Sequence, residues 1–209
     1  RMAVCLDYMF DPENLTPEQR NDPYRAARMG SFKSFSDGSL GSRSAKLYTD
    51  YADDPGNTGI LVISPEDLAK RMYKAYRHGL QPATHCIGDK ALEVTLDAVE
   101  YCLQQGLKDG MTPEEQAKRL PFRIIHAQMA TPELIERMKK LPIVLDIQPT
   151  FLMTDLHWIE ERVGKERAVL SYPWKTYLDA GLIMAGGSDA PVESFNPWIG
   201  IYATVTRQD

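Results

Sequence analysis

Short apolar segments alternate with amphipathic ones along this chain. MAVCLDYM (2–9), SFKSFSD (31–37), QPATHCIG (81–88), FRIIHAQM (122–129), PIVLDIQPT (142–150) and LIMAGGSD (182–189) have the length and residue types of β-strands. Between them run segments with apolar residues at helical spacing. SPEDLAKRMYKAYRHG has Ser64 placed as N-cap, Pro65 at the first helical position, Glu66 and Asp67 in the first turn, and a stop at Gly79. DKALEVTLDAVEYCLQQG carries Ala91, Leu92, Thr95, Leu96, Val99 and Leu103 on a helical stripe and stops at Gly106. TPELIERMKKL repeats the Thr-Pro-Glu start, and PWKTYLDAG ends at Gly181. Strand, helix, strand, helix is the pattern of βαβ units and a parallel sheet. The longest irregular stretches, about 10–30 and 38–63, follow the first two strands, where a (β/α)8 barrel builds its active site.

Composition narrows the function. The 209 residues are 43% hydrophobic, enough for a sizeable core, and no linker divides them, so they read as one domain spanning 1–209. A net charge of −5 argues against nucleic acid, which selects a basic face. No apolar run reaches the roughly 18 to 20 residues that span a bilayer, and no signal peptide is visible. Cys5, Cys86 and Cys102 form no CxxC pair and read as reduced thiols of a cytoplasmic protein. The opening Arg1 and the abrupt TVTRQD end read as a piece of something longer.

Candidate chemistry gathers at the C-terminal ends of the predicted strands. Lys33 lies in the second, His85 near the end of the third, His126 near the end of the fourth, Asp146 and Gln148 on the fifth, and Asp189 at the end of the last. Alternation puts Ile124, His126 and Gln128 on one face, and Ala185, Gly187 and Asp189 on another. Cys86 follows His85 directly and points the other way, so it is not taken as a ligand. A lone strand histidine is ordinarily a core residue. Two at strand mouths, together with Asp189, favour a metal site instead. Two imidazoles and a carboxylate suit a Zn²⁺-like ion and leave room for water. An ammonium at Lys33 would repel that ion, but its carbamate would be an anionic ligand.

The blocks FKSFSDGSLGSRSA, THCIGDKALEVTLDAVE, FRIIHAQMATPELIERM, IQPTF, ERVGKERAVLSYPWKTYLDAGLIMAGGSDAPVE and NPWIGIYATVTRQD resemble, in order, the amidohydrolase superfamily. The resemblance is to its family-3 branch, which includes N-substituted formamide deformylases and D-aminoacylase relatives, and it covers nearly all of 25–209. It implies a (β/α)8-barrel hydrolase of C–N bonds with one or two divalent metals, most readily zinc. The family's bridging lysine falls on Lys33, its two later histidines on His85 and His126, and its catalytic aspartate on Asp189. The family's first-strand His-x-His pair has no counterpart here; His78 and His157 do not fit it. Counting back from Asp189, the six strands are barrel strands three to eight. An incomplete α/β barrel is therefore expected, without the first two strands or the small β-sandwich, and with little activity of its own.

The remaining readings stay open. Asp37 and Arg43 lie in a loop that reaches toward substrate, and Arg43 suits a substrate carboxylate or a surface ion pair equally well. Gln148 is placed in the pocket lining. Asp89 reads as a helix N-cap. Three function classes compete: a C–N hydrolase acting on a small molecule, a metal-dependent lyase or ester hydrolase on the same barrel, and a non-catalytic partial barrel. Exposed sheet edges predict pairing with another copy, or disorder in part of the chain.

Overall fold

The computed structural model describes residues 2–6 and 27–208. Six strands form one parallel sheet in sequence order: β1 (Met2–Leu6), β2 (Ala27–Phe35), β3 (Gln81–Cys86), β4 (Phe122–His126), β5 (Ile143–Ile147) and β6 (Met184–Gly186). The described helices are α1 (Pro65–Arg77), α2 (Asp89–Lys108), α3 (Pro113–Ala117), α4 (Pro132–Met138), α5 (Pro149–Asp155), α6 (Ile159–Val163), α7 (Lys165–Ala168) and α8 (Trp174–Asp179), between strands, and α9 (Pro197–Thr206), after β6. Parallel strands in sequential order, with helices in the described connections from β2 onward, make an α/β fold of partial (β/α)8-barrel type.

The helix starts follow their residues. Ser64 accepts a hydrogen bond from the Asp67 amide, Thr112 forms a capping box with Glu115, and Thr131 accepts from Leu134. Asp89 is not the N-cap. Gly88 takes that position, and Asp89 opens the helix. An added Cβ at Gly88 would lie 2.0 Å from the Lys46 carbonyl oxygen, so the loop before α1 can settle on the β3–α2 junction only over a glycine.

The two faces of the sheet differ. Thr84, Ile124 and Leu145 are in register on one face. Ile124 and Leu145 enter the main core with Leu68, Met72 and Tyr76 of α1 and Leu92, Leu96 and Val99 of α2. Each such aliphatic side chain contributes about 1.5–3 kcal/mol by burial. The opposite face carries Phe35, His85, Ile125, Asp146 and Ala185 in one register row, and Lys33, Ala83, Arg123 and Val144 in the row below. Polar groups on that face pair with one another. Arg123 donates to Asp146 at 2.7 Å and to the Ser31 hydroxyl at 3.0 Å.

Most strands stop earlier than alternation suggests. β3 ends at Cys86 and β4 at His126, where φ turns positive. Gln148 lies past β5 as the N-terminal flank of α5, and Asp189 lies three residues beyond a β6 of 3 residues. The shared-face argument for Ala185, Gly187 and Asp189 therefore does not hold: alternation needs continuous strand. The short helices α3, α5, α6 and α7, and α9, were not expected. Residues 7–9 of the first predicted strand and most of 10–30 lie outside the described residues.

Candidate functional site

Lys33, His85 and His126 come together at the C-terminal edge of the sheet. His85, the penultimate residue of β3, projects on the polar face, and its ring lies edge-on to that of His126, with centroids 4.5 Å apart and planes at 73°. Phe35 packs on the far side of His85, centroids 5.3 Å apart. Phe151 of α5 stacks on His126 at 5.7 Å. Lys33 Nζ sits 4.9 Å above the Phe35 ring. Two imidazoles are thus bracketed by two phenyl rings, with one ammonium beside them.

His126 reaches this position by breaking the strand. Alternation would put it with Ile124, on the helix side. Its φ of +74°, followed by +45° at Ala127, ends the regular strand and leaves the ring against His85. Such a conformation costs a non-glycine residue about 1–2 kcal/mol and persists only when its surroundings fix it. Here they do. The Ala127 amide donates to the Cys86 carbonyl, and the Tyr177 hydroxyl donates to the Ala127 carbonyl at 2.8 Å. The Gln128 side-chain Nε2 donates to the Asp155 carboxyl and the Tyr172 hydroxyl, while the Gln128 main-chain carbonyl accepts from the Tyr172 amide. Tyr172 also donates to the buried Asp155 carboxyl.

The electrostatics suit metal ligation. Burial, then His85 and Lys33, hold His126 down to a pKa of about 3. Burial likewise lowers His85, with Lys33 adding to it and the Gly38 carbonyl and Asp189 opposing. Both rings are therefore neutral at physiological pH and carry lone pairs. His85 Nε2 lies 2.9 Å from the Gly38 carbonyl oxygen, which can only accept. Nε2 therefore bears the hydrogen, and Nδ1 is left for a ligand. His126 Nδ1 is buried without a hydrogen-bond partner. A pair of neutral imidazoles with such nitrogens fits two ligands of a divalent ion. Among the described residues no three His, Cys, Asp or Glu side chains stand close enough to cage one by themselves.

The other candidates fall into different settings. Asp189 is solvent-exposed with φ +55°, within electrostatic reach of His85. Gln148 is buried, its Nε2 donating to the Asp146 carbonyl at 3.0 Å; its Oε1 makes no hydrogen bond of regular geometry, but the side chain lies beside His126 and opposes the lowering of that ring's pKa. Arg43 forms a two-pronged pair with Asp53, at 3.0 and 2.8 Å, and Arg162 joins the same carboxylate. Asp37 is 2% exposed, and its oxygens accept from the Ile87, Gly88 and Lys46 amides. That burial raises its pKa to about 7 against the pull of those amides. Asp89 accepts from the Tyr48 amide and helps seat the same loop. Cys86 and Cys102 are buried free thiols. No described helix is long and apolar enough to cross a membrane. Phe35 and Phe151 were not singled out from the sequence; Phe35 lies two residues after Lys33, on its face, which is the signal that was there to read.

Residues 2–209 match the model of the Amidohydrolase family, and the chain belongs to that family, in its family-3 branch. It is 40% identical over 192 residues to YtcJ of Bacillus subtilis (strain 168), covering 91% of this chain and 34% of that protein. It is 39% identical over 181 residues to LONG AFTER FAR-RED 3 of Arabidopsis thaliana, covering 86% of this chain and 29% of that one. Among solved structures it is similar to an uncharacterized metal-dependent hydrolase from Pyrococcus horikoshii. That match has 37% identity and a TM-score of 0.76, and it covers 88% of this chain and 34% of the other. The chain thus spans about a third of the length of these relatives.

Proposed function

We propose that these residues form half of the catalytic face of a metal-dependent hydrolase that cleaves a C–N bond of amide or formamide type in a small molecule. The observation that carries this reading is the pair of neutral imidazoles at adjacent strand mouths, 4.5 Å apart, one with its Nε2 proton committed and the other with a buried nitrogen unpartnered. The similarity to a metal-dependent hydrolase supports it. His85, through Nδ1, and His126 would hold a divalent ion, most readily zinc. Lys33 beside them would join as a carbamate, since its ammonium opposes a cation. A bound divalent metal supplies Lewis acidity, lowering the pKa of water to about 7 and polarising a carbonyl.

Within that scheme the chain's own groups have separate tasks. Asp189, exposed near His85, accepts a proton from the attacking water and returns it to the leaving nitrogen. Phe35 and Phe151 keep the imidazoles dry and neutral. Gln148 Oε1, beside His126 and without a hydrogen bond of regular geometry, accepts from a substrate N–H. Arg43 binds a substrate carboxylate only by leaving Asp53. The 209 residues hold no His-x-His pair and the described ones no three-ligand cage, which favours low turnover by this chain alone. Free Cys86 and Cys102 support a reducing, cytoplasmic setting. The open β6 edge lies beside exposed Ile183 and an α9 whose Trp198, Ile201 and Val205 are also exposed, which supports pairing with a second copy.

Elemental analysis of the chain purified without chelator and then given Zn²⁺ or Co²⁺, beside a His85→Ala/His126→Ala variant, tests the reading. About one equivalent in the wild type, lost in the variant, is expected. Metal in neither, or in both alike, would sink it.

A further inference from the structure

We propose that the turn Ser36–Asp37–Gly38 is a clamp that sets the pose and tautomer of His85, with Asp37 as its anchoring carboxylate. Asp37 is then a positioning residue and does not touch substrate. The functional consequence rests on the reading of His85 as a metal ligand.

Three consecutive residues grip His85 at main chain and side chain together. The Ser36 amide and hydroxyl both donate to the His85 carbonyl, at 3.0 and 2.7 Å. The Gly38 carbonyl accepts from Nε2 at 2.9 Å. Between them Asp37 turns inward. Its Oδ1 accepts from the Ile87 amide at 3.1 Å, and its Oδ2 from Gly88 at 2.8 Å and Lys46 at 2.9 Å. The carboxylate thereby fixes both residues that follow Cys86, and its Oδ1 lies 3.7 Å from His85 Nε2. When ionised, a carboxylate at that distance favours hydrogen on Nε2 over a lone pair there. With its oxygens so engaged and 2% of its surface exposed, Asp37 has no free face for a substrate. Outer groups that orient a ligating histidine in this way typically change metal affinity about 10–100-fold when replaced.

The fold supplies its own control. Asp89 is a second buried carboxylate that pins the same 38–63 segment, accepting from the Tyr48 amide at 2.9 Å, and it has no hydrogen bond to His85. General loosening of the loop is therefore separable from loss of the clamp.

The test is long-range ¹H–¹⁵N NMR of the full chain carrying ¹⁵N-histidine, at mildly alkaline pH, with Zn²⁺ affinity measured alongside. The variants are Asp37→Asn, Asp37→Ser and Asp89→Asn. Wild type should show His85 neutral with hydrogen on Nε2. Either Asp37 variant should show mixed tautomers and about tenfold weaker Zn²⁺ binding. Asp89→Asn should keep the wild-type tautomer while melting at lower temperature. A folded Asp37 variant with the wild-type tautomer, or an equal disturbance from Asp89→Asn, overturns the proposal. So does failure of both Asp37 variants to fold where Asp89→Asn folds, since Asp37 then serves the fold alone. If wild type binds no Zn²⁺ yet the tautomers change as expected, the clamp stands and the metal reading falls.

Discussion

The two histidines reach one place by opposite routes. His85 stays in the alternation of β3, on the polar face, and is held from before: the turn after β2 grips its carbonyl and its ring. His126 leaves the alternation of β4 through a left-handed turn and is held from behind, by Tyr177, Tyr172 and Asp155, all later in the chain. The first arrangement costs little backbone strain and depends on a close fit between loop and strand. The second stores strain and depends on a buried polar network. A ligand pair built from one of each is rigid for two different reasons.

Five substitutions, in four tests, sharpen that contrast, beginning with the most damaging. Gly88→Ala should destabilise the chain by about 3 kcal/mol or more, because the new methyl meets the Lys46 backbone at 2.0 Å and lifts the loop that carries the clamp. Chemical denaturation would show it; a loss under about 1 kcal/mol would mean that the loop shifts freely and that the His85 side is not a tight fit.

Next comes Asp155→Asn. Burial raises the Asp155 pKa from 3.8 to about 6, so the folded chain binds its proton at higher pH than the unfolded chain does. Between those values the native state carries more protons, and stability from this group falls as pH rises, levelling off above about 6. Acidification from neutral pH to about pH 4 should therefore stabilise wild type relative to Asp155→Asn by roughly 2–3 kcal/mol. Parallel pH profiles for the two proteins would remove Asp155 from the His126 support.

Tyr177→Phe deletes the hydrogen bond to the Ala127 carbonyl in a buried site and should cost about 1–2 kcal/mol. The ¹⁵N signature of His126 should shift more than that of His85. Equal shifts would show that the two sides are one unit. The smallest effect is the most discriminating. Ala127 and Ala83 are both fully buried, but Ala127 has φ +45° and Ala83 sits in regular β3. Ala127→Gly should lie within about 0.5 kcal/mol of wild type, the relieved strain offsetting the lost methyl, while Ala83→Gly should cost about 1–2 kcal/mol. Equal losses in thermal melts would deny that the β4 end is strained.

Much of the fold was legible in the residues. Six apolar runs separated by capped amphipathic segments are enough for parallel α/β order, because period, caps and connection lengths are local properties. The short helices α5 to α7 were not legible, since segments of four to seven residues carry too little periodicity and form only when tertiary packing holds them. Lys33, His85, His126 and Asp189 were recognisable as residue types at strand ends. Their geometry was not, because strand parity fails for His126 where φ turns positive and for Asp189 because β6 has already ended at Gly186.

The sequence alone therefore determined the class, the strand order and the identity of the candidate ligands, since patterning and residue chemistry survive without coordinates. Only the tertiary structure decided that His126 turns back to meet His85, that Asp37 is locked under backbone amides, and that Arg43 is spent on Asp53. Each depends on partners up to 51 residues away in the chain, such as Gly88 for Asp37 and Tyr177 for Ala127, and no local pattern encodes which distant group will be waiting.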